Sequence, residues 1–367
     1  MKTIAFLNHS DFWGGAEANL YEIATGLGAQ GYDVWVVEPS GGMLKRRLNT
    51  EYVKSYTLEF PSFHASPLGV LQNSFEFIRE FKHFCTKVKP DVIISNSARC
   101  NIYATFARLF VCNVAQVWML HEYQISKLHL RTFRSLPRYF IAVSKSVRDY
   151  YRLPNTVVIP NAFSIDNQDL CKSADARLPS TGPFTIGWFG RFVRCKGVIV
   201  LLEALRKLNG TNITLRLYGA ETDKEPEYYQ EVRDFVNKNR MDSMVSFCGF
   251  TSDVIGAMRN IDLVVASSVS KYGGPESFGR TVVEAMIAGA PVIATNSGGA
   301  ADVVENEVNG LLVKEADSDA LASAILRLYN SPQLRERLSH NARHSLEKYS
   351  TQQVISDYIR LLESING

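Results

Sequence analysis

The chain has 367 residues and a mass of 41.1 kDa, long enough for two domains that each bury a core. Its composition, 46% hydrophobic and 21% charged, is that of a folded, water-soluble protein and excludes disorder, collagen and coiled coil. A net charge of +3 is too small for a nucleic-acid binder, and no apolar run reaches the roughly 18–20 residues of a spanning helix.

Short β-branched runs alternate with helical stretches along both halves, the pattern of doubly wound parallel sheets. In chain order the first half predicts strands at Thr3–Asn8, Asp33–Glu38, Asp91–Asn96, Val114–Met119, Tyr139–Val143 and Thr156–Ile159. A polar, irregular stretch over 166–183 reads as a linker. Further strands follow at Thr185–Phe189, Thr214–Gly219, Val245–Cys248, Leu263–Ala266 and Pro291–Thr295, and the last 50 or so residues are helical. Two α/β domains are therefore expected, 1–165 and 184–345, with a C-terminal helix over 346–367 packing back on the first. The apolar stretch Ile4–Leu7 is too short for a signal-peptide core, so the expected location is cytoplasmic with the chain starting at Met1. Cys85, Cys100, Cys112, Cys171, Cys195 and Cys248 show no zinc or redox spacing and read as reduced thiols.

Loops after strands carry the candidate chemistry. After the first strand come Gly14 and Gly15 at the start of a helix, where paired glycines let a ligand approach the backbone and the helix terminus attracts anions; an ordinary tight turn would look the same. Gly26-Leu27-Gly28-Ala29-Gln30-Gly31 matches the dinucleotide fingerprint letter by letter. It lies between a helix and a strand, the reverse of the required order, and reads as a helix end. After Thr185–Phe189 comes Gly190-Arg191-Phe192-Val193-Arg194-Cys195-Lys196-Gly197. Here Arg191 and Lys196 can converge on a diphosphate, one as a planar fork and the other as a point charge. In Gly273-Gly274-Pro275-Glu276-Ser277-Phe278-Gly279-Arg280, Glu276 stands just before a helix expected from about Phe278, placed to accept from the first helical amides. Glu284 falls in an apolar stretch, where a buried carboxylate needs a partner such as a sugar hydroxyl.

Taken together, these loops resemble the retaining glycosyltransferases of family 4, over nearly the whole chain. The most specific match is the Glu-x7-Glu pair, Glu276 to Glu284; Gly190-Arg191 with Lys196-Gly197, Gly14-Gly15-Ala16-Glu17 and Ile159-Pro160-Asn161 follow the family order. The resemblance implies a GT-B fold, two Rossmann-like domains facing across a cleft, and transfer from a nucleoside-diphosphate sugar with retention. The first domain would take a glycan or lipid-linked acceptor and the second the donor. Residue by residue it implies that Glu276 holds donor-sugar hydroxyls and Glu284 the ribose, while Arg191 and Lys196 stabilise the departing diphosphate. Gly14, Gly15, Gly190 and the amides of Ser277, Phe278 and Gly279 would line the donor. His121 matches the family's active-site position, and Thr251 would lie by the base.

No cofactor or metal is expected: Asp317-Ser318-Asp319 reads as a helix start, and His121 with His129 lacks the zinc-type spacing. Phe77, Ile78, Phe81, Phe84, Cys85 and Val88 form a helical stripe read as core. The basic run Lys127, Arg131, Arg134, Arg138, Lys145, Arg148 and Arg152, interleaved with aromatics, could meet an anionic membrane surface or be an ordinary solvated face. A sugar-nucleotide 2-epimerase and a non-catalytic nucleotide-sugar-binding partner are the competing readings.

Overall fold

Alternation at period two decides how each strand is buried. In β1 (Thr3–Leu7) Ile4 and Phe6 point to one face, Ala5 and Leu7 to the other, and all four are fully buried. A strand apolar on both faces must be covered on both, which a parallel sheet with crossover helices achieves. The computed structural model describes residues 2–48, 51–61, 67–123 except 111–113, 125, 139–165, 182–223 and 225–365. Side chains of 67–74 and 106–110 lie outside this description.

The chain divides into two compact units, 1–164 with 349–367, and 165–348. The first unit is a seven-stranded parallel sheet of order β3-β2-β1-β4-β5-β6-β7. After β1 its strands are β2 (Asp33–Glu38), β3 (Val53–Thr57), β4 (Val92–Ser95), β5 (Ala115–Leu120), β6 (Tyr139–Ala142) and β7 (Thr156–Val158). Leu20, Ile23 and Leu27 of α1 (Gly15–Ala29) cover one face. Val354, Ile355 and Tyr358 of the C-terminal helix, here α12 (Thr351–Ser364), join them in one core. The other face carries α2 (Pro67–Val88) and α3 (Ala98–Phe110), with Phe77, Phe81, Phe84 and Tyr103 in the core. The Phe77–Cys85 stripe is thus buried.

The glycines of the dinucleotide-like run are packing devices. A Cβ at Gly26 would lie 2.6 Å from the Ile355 side chain, and one at Gly28 would lie 2.3 Å from the Tyr52 carbonyl oxygen. They bring α1 close to α12 and to the chain before β3, and no phosphate is needed to explain them.

The second unit is a six-stranded parallel sheet of order β10-β9-β8-β11-β12-β13. Its strands are β8 (Phe184–Phe189), β9 (Ile213–Tyr218), β10 (Val245–Gly249), β11 (Leu263–Ala266), β12 (Val292–Thr295) and β13 (Leu311–Val313). Ile186 and Trp188 of β8 pack with Leu201 and Leu205 of α5 (Val198–Lys207) and with Leu321 and Ile325 of α10 (Ser318–Asn330). Asp317 caps α10, its carboxylate accepting from the Ala320 amide at 2.9 Å, so the Asp-x-Asp sequence begins a helix as expected. Between α4 (Lys145–Tyr151) and α10 the second unit also holds α6 (Pro226–Lys238), α7 (Val254–Met258), α8 (Arg280–Ile287) and α9 (Gly299–Val303). Last comes α11 (Pro332–His344).

Two short strands escape the periodicity. In β3 only Val53 of five residues is buried, so it offers no apolar run, and β13 is apolar but only three residues long. No described helix is long and apolar enough to cross a membrane. Most of the 166–183 stretch, Cys112, Cys171, His129 and the basic residues from Lys127 to Arg138 lie outside the described residues.

Candidate active-site residues at two strand-order reversals

Each sheet reverses its strand order once, between β1 and β4 in the first unit and between β8 and β11 in the second. Loops leaving the carboxyl ends of such strands diverge to opposite faces and open a crevice where ligands of α/β sheets bind.

In the second unit both loops carry charge. The turn after β8 runs from Gly190 through a 3-10 segment, Arg194–Lys196, to Gly197. Gly197 is required here: its φ is +64°, and a Cβ would stand 1.9 Å from the Ser267 carbonyl oxygen. This close approach sets Lys196 against the loop after β11. The Lys196 carbonyl accepts from Ser267 Oγ at 3.0 Å and Trp188 Nε1 at 3.3 Å. Lys196 Nζ then donates to Glu276 Oε2 at 2.5 Å, and Ser268 Oγ donates to the same oxygen at 2.9 Å. Burial alone would raise the Glu276 pKa. Lys196, Ser268 and the charge of Arg191 outweigh it and hold the carboxyl below its ordinary value.

Glu276 is therefore not a helix cap. Helix α8 begins at Arg280, with Gly279 before it in the left-handed region at φ +94°. The glycine delays the helix by two residues, and the carboxylate faces Lys196 instead of helical amides. The backbone is tied down as well, since the Gly299 amide donates to the Glu276 carbonyl at 2.6 Å and the Glu276 amide to Ser297 Oγ at 3.4 Å. Both side-chain bonds fall on Oε2, which leaves Oε1 to accept from a ligand. Lys196, Glu276, Ser268, Gly279 and Thr281 share one small pocket floored by Trp188 and Ala266.

Glu284 has a partner within its own helix. Arg280 Nη2 lies 3.4 Å from its Oε1, an i,i+4 pair. Burial raises the Glu284 pKa, opposed by Arg280 and Lys196, so a sugar hydroxyl is not needed to justify the residue. Among the other candidates, Phe278 is buried and Arg191 exposed. Thr251 Oγ1 accepts from the Asp253 amide at 3.2 Å and organises the turn into α7, with no hydrogen bond to the Lys196–Glu276 group.

In the first unit the strand ends carry neutral polar groups. His121 follows β5, and its Nε2 is 2.9 Å from Asn96 Oδ1, after β4. Asn96 Nδ2 donates to Asn8 Oδ1, after β1, at 3.2 Å. Burial drives His121 down to about 4 and, together with Arg99, does the same to His9, so both rings are neutral at pH 7. His9 Nδ1 is 2.8 Å from Ser97 Oγ. Gly14 precedes α1 with an extended backbone, its amide donating to Glu17 Oε2 at 3.0 Å, and Gly15 is the first helical residue.

The sequence reading missed Ser268, Ser297, Asn8 and Asn96. Each stands within three residues of a strand's carboxyl end, all but Ser297 at a strand-order reversal, and that position was the available signal.

Known proteins bear on this arrangement. The family model described as Glycosyl transferases group 1 matches residues 173–345, and that described as Glycosyltransferase Family 4 matches 13–167. The chain is 30% identical over 195 residues to the capsular polysaccharide biosynthesis glycosyltransferase CapM of Staphylococcus aureus, an alignment covering 53% of this chain and only 48% of that protein. The chain thus spans about half the length of this relative. It is 26% identical to the phosphatidyl-myo-inositol mannosyltransferase of Mycobacterium leprae, covering 97% of this chain and 94% of that one. Among solved structures, Anabaena HepE in complex with UDP and glucose superposes with a TM-score of 0.83 at 26% identity, covering 99% of this chain and 100% of that chain. The chain belongs to the group 1 family of glycosyltransferases, with the GT-B fold of two Rossmann-like α/β domains.

Proposed function

We propose that the protein is a retaining glycosyltransferase that moves a sugar from a nucleoside-diphosphate sugar to a glycan or lipid-linked acceptor of the cell envelope. The observation that carries the proposal is the Lys196–Glu276 pair at the strand-order reversal of the second unit, with Arg191 on the same loop. UDP and glucose in the HepE complex support a nucleotide-sugar donor. The two relatives, a capsular polysaccharide biosynthesis glycosyltransferase and a phosphatidyl-myo-inositol mannosyltransferase, support an envelope acceptor.

The proposed chemistry follows from charge. The bond from the anomeric carbon to the phosphate oxygen breaks, and a bond to the acceptor oxygen forms on the same face. The acceptor's proton passes to the departing phosphate. Negative charge grows on the diphosphate, where Lys196 and Arg191 meet it with charges already in place. Glu276 Oε1 accepts from a donor-sugar hydroxyl, and Glu284 from the ribose. Gly14, Gly15, Gly190 and the amides of Ser277, Phe278 and Gly279 leave room for, or donate to, the donor, and the turn at Thr251 borders the base. The first unit, with His121, takes the acceptor. No metal or other cofactor has a part in this scheme, and a peripheral contact with anionic membrane belongs to the same proposal.

Purified protein offered UDP, GDP, ADP and dTDP sugars, with released nucleoside diphosphate as the readout, tests it. Slow release from one donor, reduced at least tenfold in both Lys196→Ala and Glu276→Ala, is expected, since a hydrogen bond to a charged group is worth about 1.5–3 kcal/mol. Release that neither variant alters would overturn the site, and a trapped glycosyl-enzyme adduct would overturn same-face attack.

A further inference from the structure

The hydrogen bonds at the end of the first sheet have a direction, and it can be read from one fixed point. Asn8 Nδ2 donates to the Ser10 carbonyl at 3.4 Å. A carbonyl can only accept, so the Asn8 amide has its nitrogen toward Ser10 and its oxygen toward Asn96. That oxygen must receive Asn96 Nδ2, at 3.2 Å, which turns Asn96 Oδ1 toward the imidazole. Asn96 Oδ1 also only accepts, so His121 Nε2, at 2.9 Å, must carry a hydrogen. Reversing either amide would set oxygen against oxygen, next to Ser10 or within the asparagine pair.

Two backbone hydrogen bonds, burial and strand placement hold the relay in place. The Asn8 amide donates to Val37 O at 2.9 Å and the Asn96 amide to Leu7 O at 3.0 Å, extending the β1–β2 and β1–β4 ladders by one residue. Asn8 and Asn96 are 1% and 3% exposed, so water does not compete for their side chains. The three residues leave three adjacent strands, β1, β4 and β5, at the same edge.

We propose that Asn96, oriented by Asn8, is a positioning residue that fixes His121 as the neutral tautomer with hydrogen on Nε2, so that Nδ1 is presented as an acceptor for an uncharged hydroxyl of the substrate. A phosphate offers only acceptors and finds no donor at that nitrogen. The strand-end group of the first unit is thereby matched to the hydroxyl of a sugar or polyol. It rests on the proposed function only for the identity of the molecule that owns the hydroxyl.

Neutrality is consistent with what surrounds the ring. Neither β4 nor β6, the strands flanking β5, carries a charged residue. Helix α3 brings Arg99 near its start, whose charge acts on His9. The turn beyond β5 has Glu122, whose carbonyl accepts from Tyr151, with Tyr123 beside it, and α4 begins at Lys145. Helix α12 meets β5 through Tyr358, which donates to Met119 Sδ at 3.7 Å, with Asp357 and Arg360 paired to each other. Burial alone accounts for the lowered pKa of His121.

The test needs no substrate at first. Long-range proton–nitrogen NMR on uniformly labelled full-length protein reports the tautomer of His121 and its titration, with His121→Gln identifying the signal. The wild type is expected to show hydrogen on Nε2 at pH 7 and a midpoint far below that of a free imidazole. Asn96→Asp keeps the acceptor but adds charge, and should raise the midpoint by about 1–3 pH units. Asn96→Ala should give a mixture of tautomers. Hydrogen on Nδ1 in the wild type, or an unmoved midpoint in Asn96→Asp with native-like spectra, would overturn the proposal. Where transfer is measurable, the acid limb of kcat/KM should move with the NMR midpoint in Asn96→Asp, and a limb that stays put would refute the hydroxyl contact. Absence of any transfer would remove the proposed function while leaving the tautomer result standing.

Discussion

The two sheets reverse their strand order at equivalent places and solve the same problem in opposite ways. At the second reversal a partly buried carboxyl, Glu276, is held in its charged form by pairing with Lys196, with Ser268 donating to the same oxygen. At the first, two imidazoles are kept neutral by burial: His121 and His9 are lowered to about 4. Pairing preserves charge where a diphosphate would need it, and burial without a counter-ion removes charge where hydroxyl groups would be read. Topology sets where ligands can bind, and the side chains at the strand ends decide which ones.

The harshest way to break this contrast is to unpair the second site. Glu276→Gln and Lys196→Met should each cost activity at least tenfold and also destabilise the protein. The double variant should be less destabilised than the sum of the two, because removing one member of a partly buried pair leaves the other charge uncompensated. Additive losses in denaturant titrations would mean the two charges do not interact. Next in size is Gly197→Ala, which forces a side chain at a left-handed φ into the Ser267 carbonyl. It should cost at least about 2 kcal/mol, where an unstrained glycine-to-alanine change would instead stabilise by roughly 0.4–1 kcal/mol, and reduce activity by separating Lys196 from Glu276. An unchanged midpoint of unfolding would show that the loop yields.

Acid should separate the two ends by sign and range. His121 and His9 bind protons more weakly in the folded state than unfolded, so they contribute stability fully above about pH 6.5. That contribution is lost as pH falls toward about 4. The Glu276 carboxyl, held below its ordinary value, contributes stability above the unfolded carboxylate pKa and loses it only at lower pH. A His121→Gln variant should therefore be less sensitive than wild type between pH 6.5 and 4.5, with the same loss below; identical curves would place His121 in contact with water. The mildest change is Ser268→Ala, which removes one donor to Glu276 and should cost about 1–3 kcal/mol at most, read as a raised KM for donor with the fold intact.

Much of this was legible because apolar runs and strand-end punctuation are local. The strands from β1 to β12 other than β3 and the charged loops after β8 and β11 follow from residues near one another in sequence. What was illegible depends on residues far apart. Lys196 and Glu276 are 80 positions apart, and their bond depends on Gly197 lying against Ser267. The delay of α8 past Phe278 depends on a left-handed Gly279 that a helix-start reading passes over. Asn96 looked like the end of a strand, and its function appears only once β1, β4 and β5 are neighbours. Glu284 looked like a buried carboxylate in want of a ligand because Arg280, one turn back, had not been weighed as its partner.

The central claim, that the second reversal holds the donor's diphosphate through Lys196 and its sugar through Glu276, is tested most directly by calorimetric binding of a nucleoside diphosphate and of its sugar conjugate to wild type, Lys196→Met and Glu276→Gln. Lys196→Met should weaken both ligands, whereas Glu276→Gln should weaken the sugar conjugate and leave the free diphosphate nearly unchanged. Equal binding of both ligands by all three proteins would contradict the claim.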